Sequence, residues 1–394
     1  MILFKKIILS FLLLFTIHIS LAQTHNSYYQ GIVDNCTLAS VNTHLNEFVA
    51  HGVKSVGTTE LNDAKNWLKN KYLSYGYTDI VEDTFTVGAN TTTNIVVTKV
   101  GLVYPNTYVI VDGHYDTING VGANDNGSGT TLILEIAKQL ATVPTEYSIK
   151  FINFSAEELG LLGSNNYVNN TVIPQNLDIR LVFNIDQVGG VNGMTNDTIV
   201  CERDTSNPPE NNAASNTITN ELATCIGLYS SLNTEISFAY SSDYIPFENN
   251  GEVITGLYEK NETTHSHSAT DIIANMDVNY LYEVIKGSTG AVLHFAVANQ
   301  ALGIDDNLNN LNNLNQVVFY PNPAKGFIRV DTGGLNLKKS IIQLTDLSGK
   351  VIISESNINI EGIYDIALDN VSSGIYVLEL MNDGIKKSNK IVIE

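Results

Sequence analysis

The chain has 394 residues, 43% hydrophobic and only 16% charged, with 21 Lys+Arg against 41 Asp+Glu for a formal net charge of −20. That length favours two or three folded units over one. An acidic chain without basic faces argues against nucleic-acid or anionic-membrane binding, and its apolar content argues against wholesale disorder.

At the N-terminus, Lys5 and Lys6 precede a mostly apolar run from Ile7 to Leu21, and Ser20-Leu21-Ala22 has the small-x-small form of a cleavage site. This is the layout of a secretory signal peptide over residues 1–22, with no stable membrane span expected after its removal. Export would place Cys36, Cys201 and Cys225 in an oxidising compartment. An odd count allows at most one internal bridge; Cys201–Cys225 is the preferred pair, and a buried free thiol is the alternative.

Residues 23–301 alternate two kinds of segment. Leu38 to Ala50 and Leu61 to Tyr75 carry apolar residues at helical spacing, the second with Leu61, Ala64, Trp67, Leu68 and Tyr72. Ser128 to Ala141 places Leu132, Ile133, Ile136, Ala137 and Leu140 on one helical face. The runs NIVVTKV, TYVIVDG, YSIKFINF and IRLVFNID read as buried strands. Continuous apolar runs separated by helices predict an α/β fold, a mostly parallel central sheet flanked by helices.

Where those strands stop is informative. TYVIVDG runs into His114-Tyr115-Asp116, YSIKFINFS into Ala156-Glu157-Glu158, and IRLVFN reaches Asp186. Ligands of open α/β sheets bind outside the carboxyl ends of the strands. The loop GVGANDNGSG adds Asp125, and THSHSATD adds His265 and His267. Singly, each residue has a plainer reading: His114 a strand cap, Glu157-Glu158 a solvated pair, Asp125 a helix N-cap, Asp186 a turn residue. Jointly, imidazoles and crowded carboxylates form an N/O donor set suited to zinc or a similar divalent ion, whose charge offsets their mutual repulsion.

Leu302 to Gln316, LGIDDNLNNLNNLNQ, is Asn-rich, lacks a core-forming period and reads as a linker over residues 302–316. Residues 317–394 then show short alternating strands between turn signals such as Ser348-Gly349-Lys350 and Asn382-Asp383-Gly384, predicting a small antiparallel β-sandwich. It contains neither His nor Cys and is not expected to be catalytic.

The ordered set GHYDT, GANDNGSG, AEELGLLGS, FNIDQVG, SSDYIPF and HSATD closely resembles the dizinc aminopeptidases of metallopeptidase family twenty-eight, over about Asn35 to Val297. The resemblance implies two Zn2+ per chain, with His114 and Asp186 on one, Asp125 bridging both, and Glu158 with His267 on the other. It makes Glu157 the general base and Asp116 the residue that orients His114. His267 is taken over His265 because it stands four positions before Asp271. Glu157 and Glu158 would serve two roles because neighbouring side chains on extended backbone point to opposite sides. The implied substrates are peptides or proteins. Two positions depart from the family pattern: Ser266 stands where some relatives have Tyr, leaving Tyr240 or Tyr258 to supply an oxyanion-holding hydroxyl, and Tyr244 stands where many have His. Asp243, Tyr244 and Tyr258 are the candidate substrate-pocket residues.

A glutaminyl-peptide cyclase on the same fold is the alternative enzyme. That branch places tryptophans in its pocket, whereas the single Trp here is Trp67 on an early helix. A binding module without catalysis is the alternative of a different class. At the other end, YPNPAKGFIRV, IIQLTDLSGKVI and SSGIYVLELMNDG, with KKSNK before the last strand, resemble the type A C-terminal sorting domain. Certain Gram-negative bacteria use that domain to address cargo to the type IX secretion system. The resemblance implies that machinery as a partner, and a protein exported through periplasm and outer membrane to be secreted or held at the cell surface.

Overall fold

The computed structural model describes residues 23–239, 241–299, 314, 317–346, 349–369, 371–382 and 385–394. The predicted signal peptide, most of the predicted linker and Tyr240 lie outside the described residues. The chain divides into two compact units, the first up to Ala301 and the second from Leu302.

The first unit opens with helices α1 (Ser27–Val33), α2 (Leu38–Ala50) and α3 (Thr59–Ser74). The hydroxyls of Thr37 and Thr58 accept the Ser40 and Leu61 backbone N–H groups and start α2 and α3. Next come β1 (Ile80–Val87), β2 (Asn90–Lys99), β3 (Tyr104–His114), α4 (Gly127–Leu140) and β4 (Tyr147–Phe154). After these follow α5 (Leu162–Tyr167), a π-helical turn at Val168–Val172, α6 (Ile173–Gln175), β5 (Asp178–Ile185) and β6 (Thr198–Arg203). The unit ends with α7 (Asn212–Tyr229), β7 (Asn233–Phe238), α8 (Ile245–Asn249), β8 (Ile254–Glu259) and α9 (Val278–Phe295). No described helix is long and apolar enough to cross a membrane.

The eight strands form one sheet in the order β1-β2-β4-β3-β5-β8-β6-β7. Pairing is parallel through the centre, β4-β3-β5-β8, and antiparallel where β2 meets β4 and where β6 meets β8. Alternation along each central strand sorts residues to two cores. Val109, Val111, Phe151, Leu181 and Phe183 pack on one face with residues of α2, α4, α7 and α9. Ile110, Ile152, Phe154 and Val182 pack on the other with Tyr167, Tyr244 and Phe247. Both faces are thus covered, as a parallel sheet requires.

The register His114↔Phe154 and Asp112↔Asn184 brings the carboxyl ends of β4, β3 and β5 side by side. Gly113 permits this approach, because a Cβ there would meet the Ile185 carbonyl oxygen at 2.5 Å. The three cysteines are all free and buried, so the preferred Cys201–Cys225 bridge does not form. They act as small core residues; burial pushes the thiols of Cys36 and Cys225 up to about 12.

The second unit comprises β9 (Val318–Lys325), β10 (Phe327–Asp346), β11 (Val351–Ala367), β12 (Gly374–Asn382) and β13 (Ile385–Ile393). It has its own core, including Ile328, Val330, Ile342, Leu344, Leu378 and Leu380. The strands make a single sheet, β11-β10-β12-β13-β9, that closes on itself because β9 also pairs with β10. Pairing is antiparallel except for one parallel bridge between β13 and β9. Register shifts between Asp331 and Asn336 and again near Ser340 interrupt the pairing of the long β10 with β11, the irregularities that bend a strand.

Candidate metal centre

The adjacent strand ends deliver their side chains into one cleft of about 340 Å3, lined by His114, Asp125, Glu157, Glu158, Asp186 and His267 together with Gly160, Leu161, Gln187 and Ser241. His114 Nε2 lies 3.3 Å from Asp125 Oδ1, 3.4 Å from Asp186 Oδ1 and 3.8 Å from Glu157 Oε2. His267 Nε2 lies 3.1 Å from Asp125 Oδ2 and 2.9 Å from Glu158 Oε2. The two oxygens of Asp125 therefore face two different imidazoles, the placement a bridging carboxylate needs.

These spacings fit a metal. Donors bonded to zinc at about 2.0–2.1 Å in a tetrahedron stand roughly 3.3 Å apart. Donor atoms of His114, Asp125 and Glu158, and likewise of His114, Glu157 and Asp186, lie within 4.8 Å of one another. Of the carboxylates facing His114 Nε2, Asp125 and Asp186 are nearer and Glu157 is the most distant. Glu158 Oε1 is buried without a hydrogen-bond partner, as an acceptor waiting for a cation would be.

Charge in the cluster is balanced by protons. Burial pushes Glu157 up to about 9 and Glu158 up to about 8. Burial opposes a proton on His114, but the surrounding Glu157, Asp186 and Asp125 hold that imidazole well above its ordinary range. Its bond to Asp125 raises His267 to about 9. Burial also opposes charge on Asp125, yet His114 and His267 hold it below the usual carboxylate range. A divalent ion would take over the protons' role.

The local supports differ from the sequence expectation at several points. Glu157 and Glu158 sit on a turn, not on extended backbone: the N–H groups of Gly160 and Leu161 both donate to the Glu157 carbonyl at 2.8 Å. Both carboxylates consequently enter the same cleft, Glu157 towards His114 and Glu158 towards His267. Asp116 receives His114 Nδ1 on its backbone carbonyl at 3.1 Å, with its carboxylate 3.8 Å away. That carboxylate instead accepts the N–H groups of Glu157 and Glu158, at 3.1 and 3.4 Å. The N-cap of α4 is Asn126, whose side chain accepts the Gly129 N–H at 2.9 Å, leaving Asp125 to the histidines.

Asp271, picked out by its spacing from His267, receives the N–H groups of Asn124 and Asp125 at 2.8 and 3.0 Å and so anchors the loop carrying Asp125. Ser242 donates to Asp186 Oδ2 at 2.9 Å; its only sequence signal was its place beside Asp243 in SSDYIPF. The proposed pocket residues Asp243 and Tyr244 are buried, Tyr244 donating to Glu202 at 2.8 Å, and Tyr258 is half-buried on β8; none of the three lines the cleft. Ser266 donates to Gln187 Oε1 at 2.6 Å, and His265 turns to Thr270. Left-handed backbone at four non-glycine positions flanks the cleft: Ala156 (φ 62), Leu161 (φ 59), Gln187 (φ 51) and His267 (φ 55). Such strain, roughly 1–3 kcal/mol per residue, gathers at functional sites.

A largely parallel sheet that feeds carboxylates and histidines from its strand ends into one cleft defines an α/β domain with a candidate metal site at its sheet edge. Residues 94–289 match the model of Peptidase family M28, and residues 318–394 match the Secretion system C-terminal sorting domain. The chain thus carries an M28 peptidase domain followed by a sorting domain of the type IX secretion system. It is similar to Aminopeptidase YwaD of Bacillus subtilis, 49% identical over 82 residues, which cover 21% of this chain and 18% of that protein. It also resembles Aminopeptidase Y of Saccharomyces cerevisiae, 31% identical over 183 residues, 44% of this chain and 33% of that one. The chain spans well under half the length of these curated relatives. In fold it is similar to the LapA aminopeptidase of Legionella pneumophila, with a TM-score of 0.62, 21% identity and coverage of 76% of this chain and 81% of that one.

Proposed function

We propose that the protein is an exported, zinc-dependent aminopeptidase. The observation that carries this reading is the convergence of Asp125 and Asp186 on His114 Nε2, and of Asp125 and Glu158 on His267 Nε2, at 2.9–3.4 Å, with Glu157 beside them. His114, Asp125 and Asp186 would hold one zinc, and Asp125, Glu158 and His267 a second. Bound there, the ions would supply Lewis acidity and lower the pKa of water to about 7.

The chain's own groups do the rest. Glu157 takes the proton of the attacking water and returns it to the leaving amine. The Asp116 carboxylate fixes that base through the Glu157 backbone N–H. An aminopeptidase is favoured over other peptidases by the curated relatives, Aminopeptidase YwaD and Aminopeptidase Y.

Glu157→Gln tests the mechanism. Hydrolysis of aminoacyl anilides should fall by on the order of 10²–10⁴-fold while zinc content stays that of the parent. A variant that kept most of its hydrolysis at unchanged zinc would refute it. Cyclisation of a peptide with N-terminal Gln, in place of cleavage, would replace this reading with the cyclase one. Trp67 offers the cyclase no support, because its Nε1 donates to Glu47 on α2 at 3.0 Å and its ring is not part of the cleft wall. The sorting domain motivates the proposal of export by the type IX machinery. Deleting residues 307–394 should leave active peptidase inside the outer membrane, and continued secretion of the shortened chain would overturn that assignment.

A further inference from the structure

Glu259, the last residue of β8, is 1% exposed and has no place in the ligand set. It accepts from three separate loops. Oε1 receives the Thr263 N–H at 2.9 Å, and Oε2 receives the Gly190 N–H at 2.7 Å. Asn124 Nδ2 reaches both oxygens, at 3.0 and 2.9 Å. Each donor belongs to a loop bearing one metal-ligand candidate: Asn124 precedes Asp125, Gly190 follows Asp186 by four residues, and Thr263 precedes His267 by four. Asn124 tightens the junction further, its Oδ1 accepting the Gly189 N–H at 2.8 Å.

We propose that Glu259 is a positioning residue that sets the spacing of Asp125, Asp186 and His267 before any ion arrives. The inference rests on the zinc-site reading above and concerns how the site is held, since Glu259 touches neither water nor substrate. A carboxylate is the group this junction requires, because it is acceptor-only and every described hydrogen bond to it comes from an N–H. Glutamine has the same shape but one acceptor oxygen. Its amide NH2 must face the N–H of either Thr263 or Gly190, so one of the three loops loses its anchor.

Outer supports of this kind typically govern metal affinity by 10–100-fold. Chelator competition on Glu259→Gln should therefore give zinc affinity weaker by roughly 10–100-fold. The visible spectrum of the cobalt(II)-loaded variant should also differ from the parent's, which a general loss of stability would not cause. A folded variant with the parent's zinc affinity and cobalt spectrum overturns the inference. Should the variant fail to fold, hydrogen exchange on the zinc-free parent decides: the Gly190 and Thr263 amides should be protected without metal, and free exchange there overturns it. A parent that binds no zinc would sink the zinc reading and this one together, whereas a parent and variant that bind equally sink this one alone.

Discussion

Lys54 shows how a single residue away from the cleft enters the energetics of the site. Its side chain is fully buried, with Nζ donating to the carbonyls of Gly52 and Val121 at 2.8 Å and lying 3.9 Å above the Phe48 ring. Val121 belongs to the same loop as Asp125, so Nζ ties that loop to Gly52. Burial pushes Lys54 down from 10.5 to about 7, with Asp271 and Asp116 pulling partly the other way. The unfolded chain keeps the proton up to its own higher pKa, so between about 7 and 10.5 it binds more protons than the folded protein. Stability from this group is therefore present at high pH and is lost as pH falls through about 7. Lys54→Met should remove that dependence: urea unfolding at pH 6, 8 and 10 should show the parent gaining on the variant by on the order of 3–5 kcal/mol across the series. A parent–variant difference constant with pH would contradict the assignment.

Elements were legible where a local pattern dictates them. The periodicity of α2 and the apolar face of α4 mark both helices, and the boundary of α4 shifts by one residue because Asn126 supplies the cap. The strand ends were legible because buried runs stop abruptly at polar residues, and the order β4-β3-β5 then makes those ends neighbours. Illegible were features decided by distant partners. Asp271 reads locally as the companion of His267, but folding sets it on the N–H groups of Asn124 and Asp125, nearly 150 residues earlier. Glu259 stands in no pattern at all, since its donors lie in loops that meet only in the folded sheet. The turn at Glu157 depends on Gly160, whose φ of 102 few other residues adopt, and an adjacent Glu pair gives no sign of it. Cysteine parity likewise cannot distinguish a bridge from thiols that fill a core.

At the scale of the molecule, two separate cores and one candidate metal site make the units thermodynamically distinguishable. The first unit buries residues against both faces of its sheet, and the second closes its strands around an independent cluster. Every proposed ligand, His114 through His267, lies in the first unit. Each zinc ion at one hundred times its dissociation constant stabilises the unit that binds it by about 2.7 kcal/mol. For a unit of about 280 residues that corresponds to a shift of roughly 5 °C per ion. Calorimetry should accordingly resolve two transitions, and a chelator should lower one by about that amount while leaving the other in place. The shifted transition should be the one that Glu259→Gln already lowers in the presence of zinc, because the variant binds the ion less well. If the chelator moved both transitions equally, or neither, the metal would not be bound where the strand ends converge.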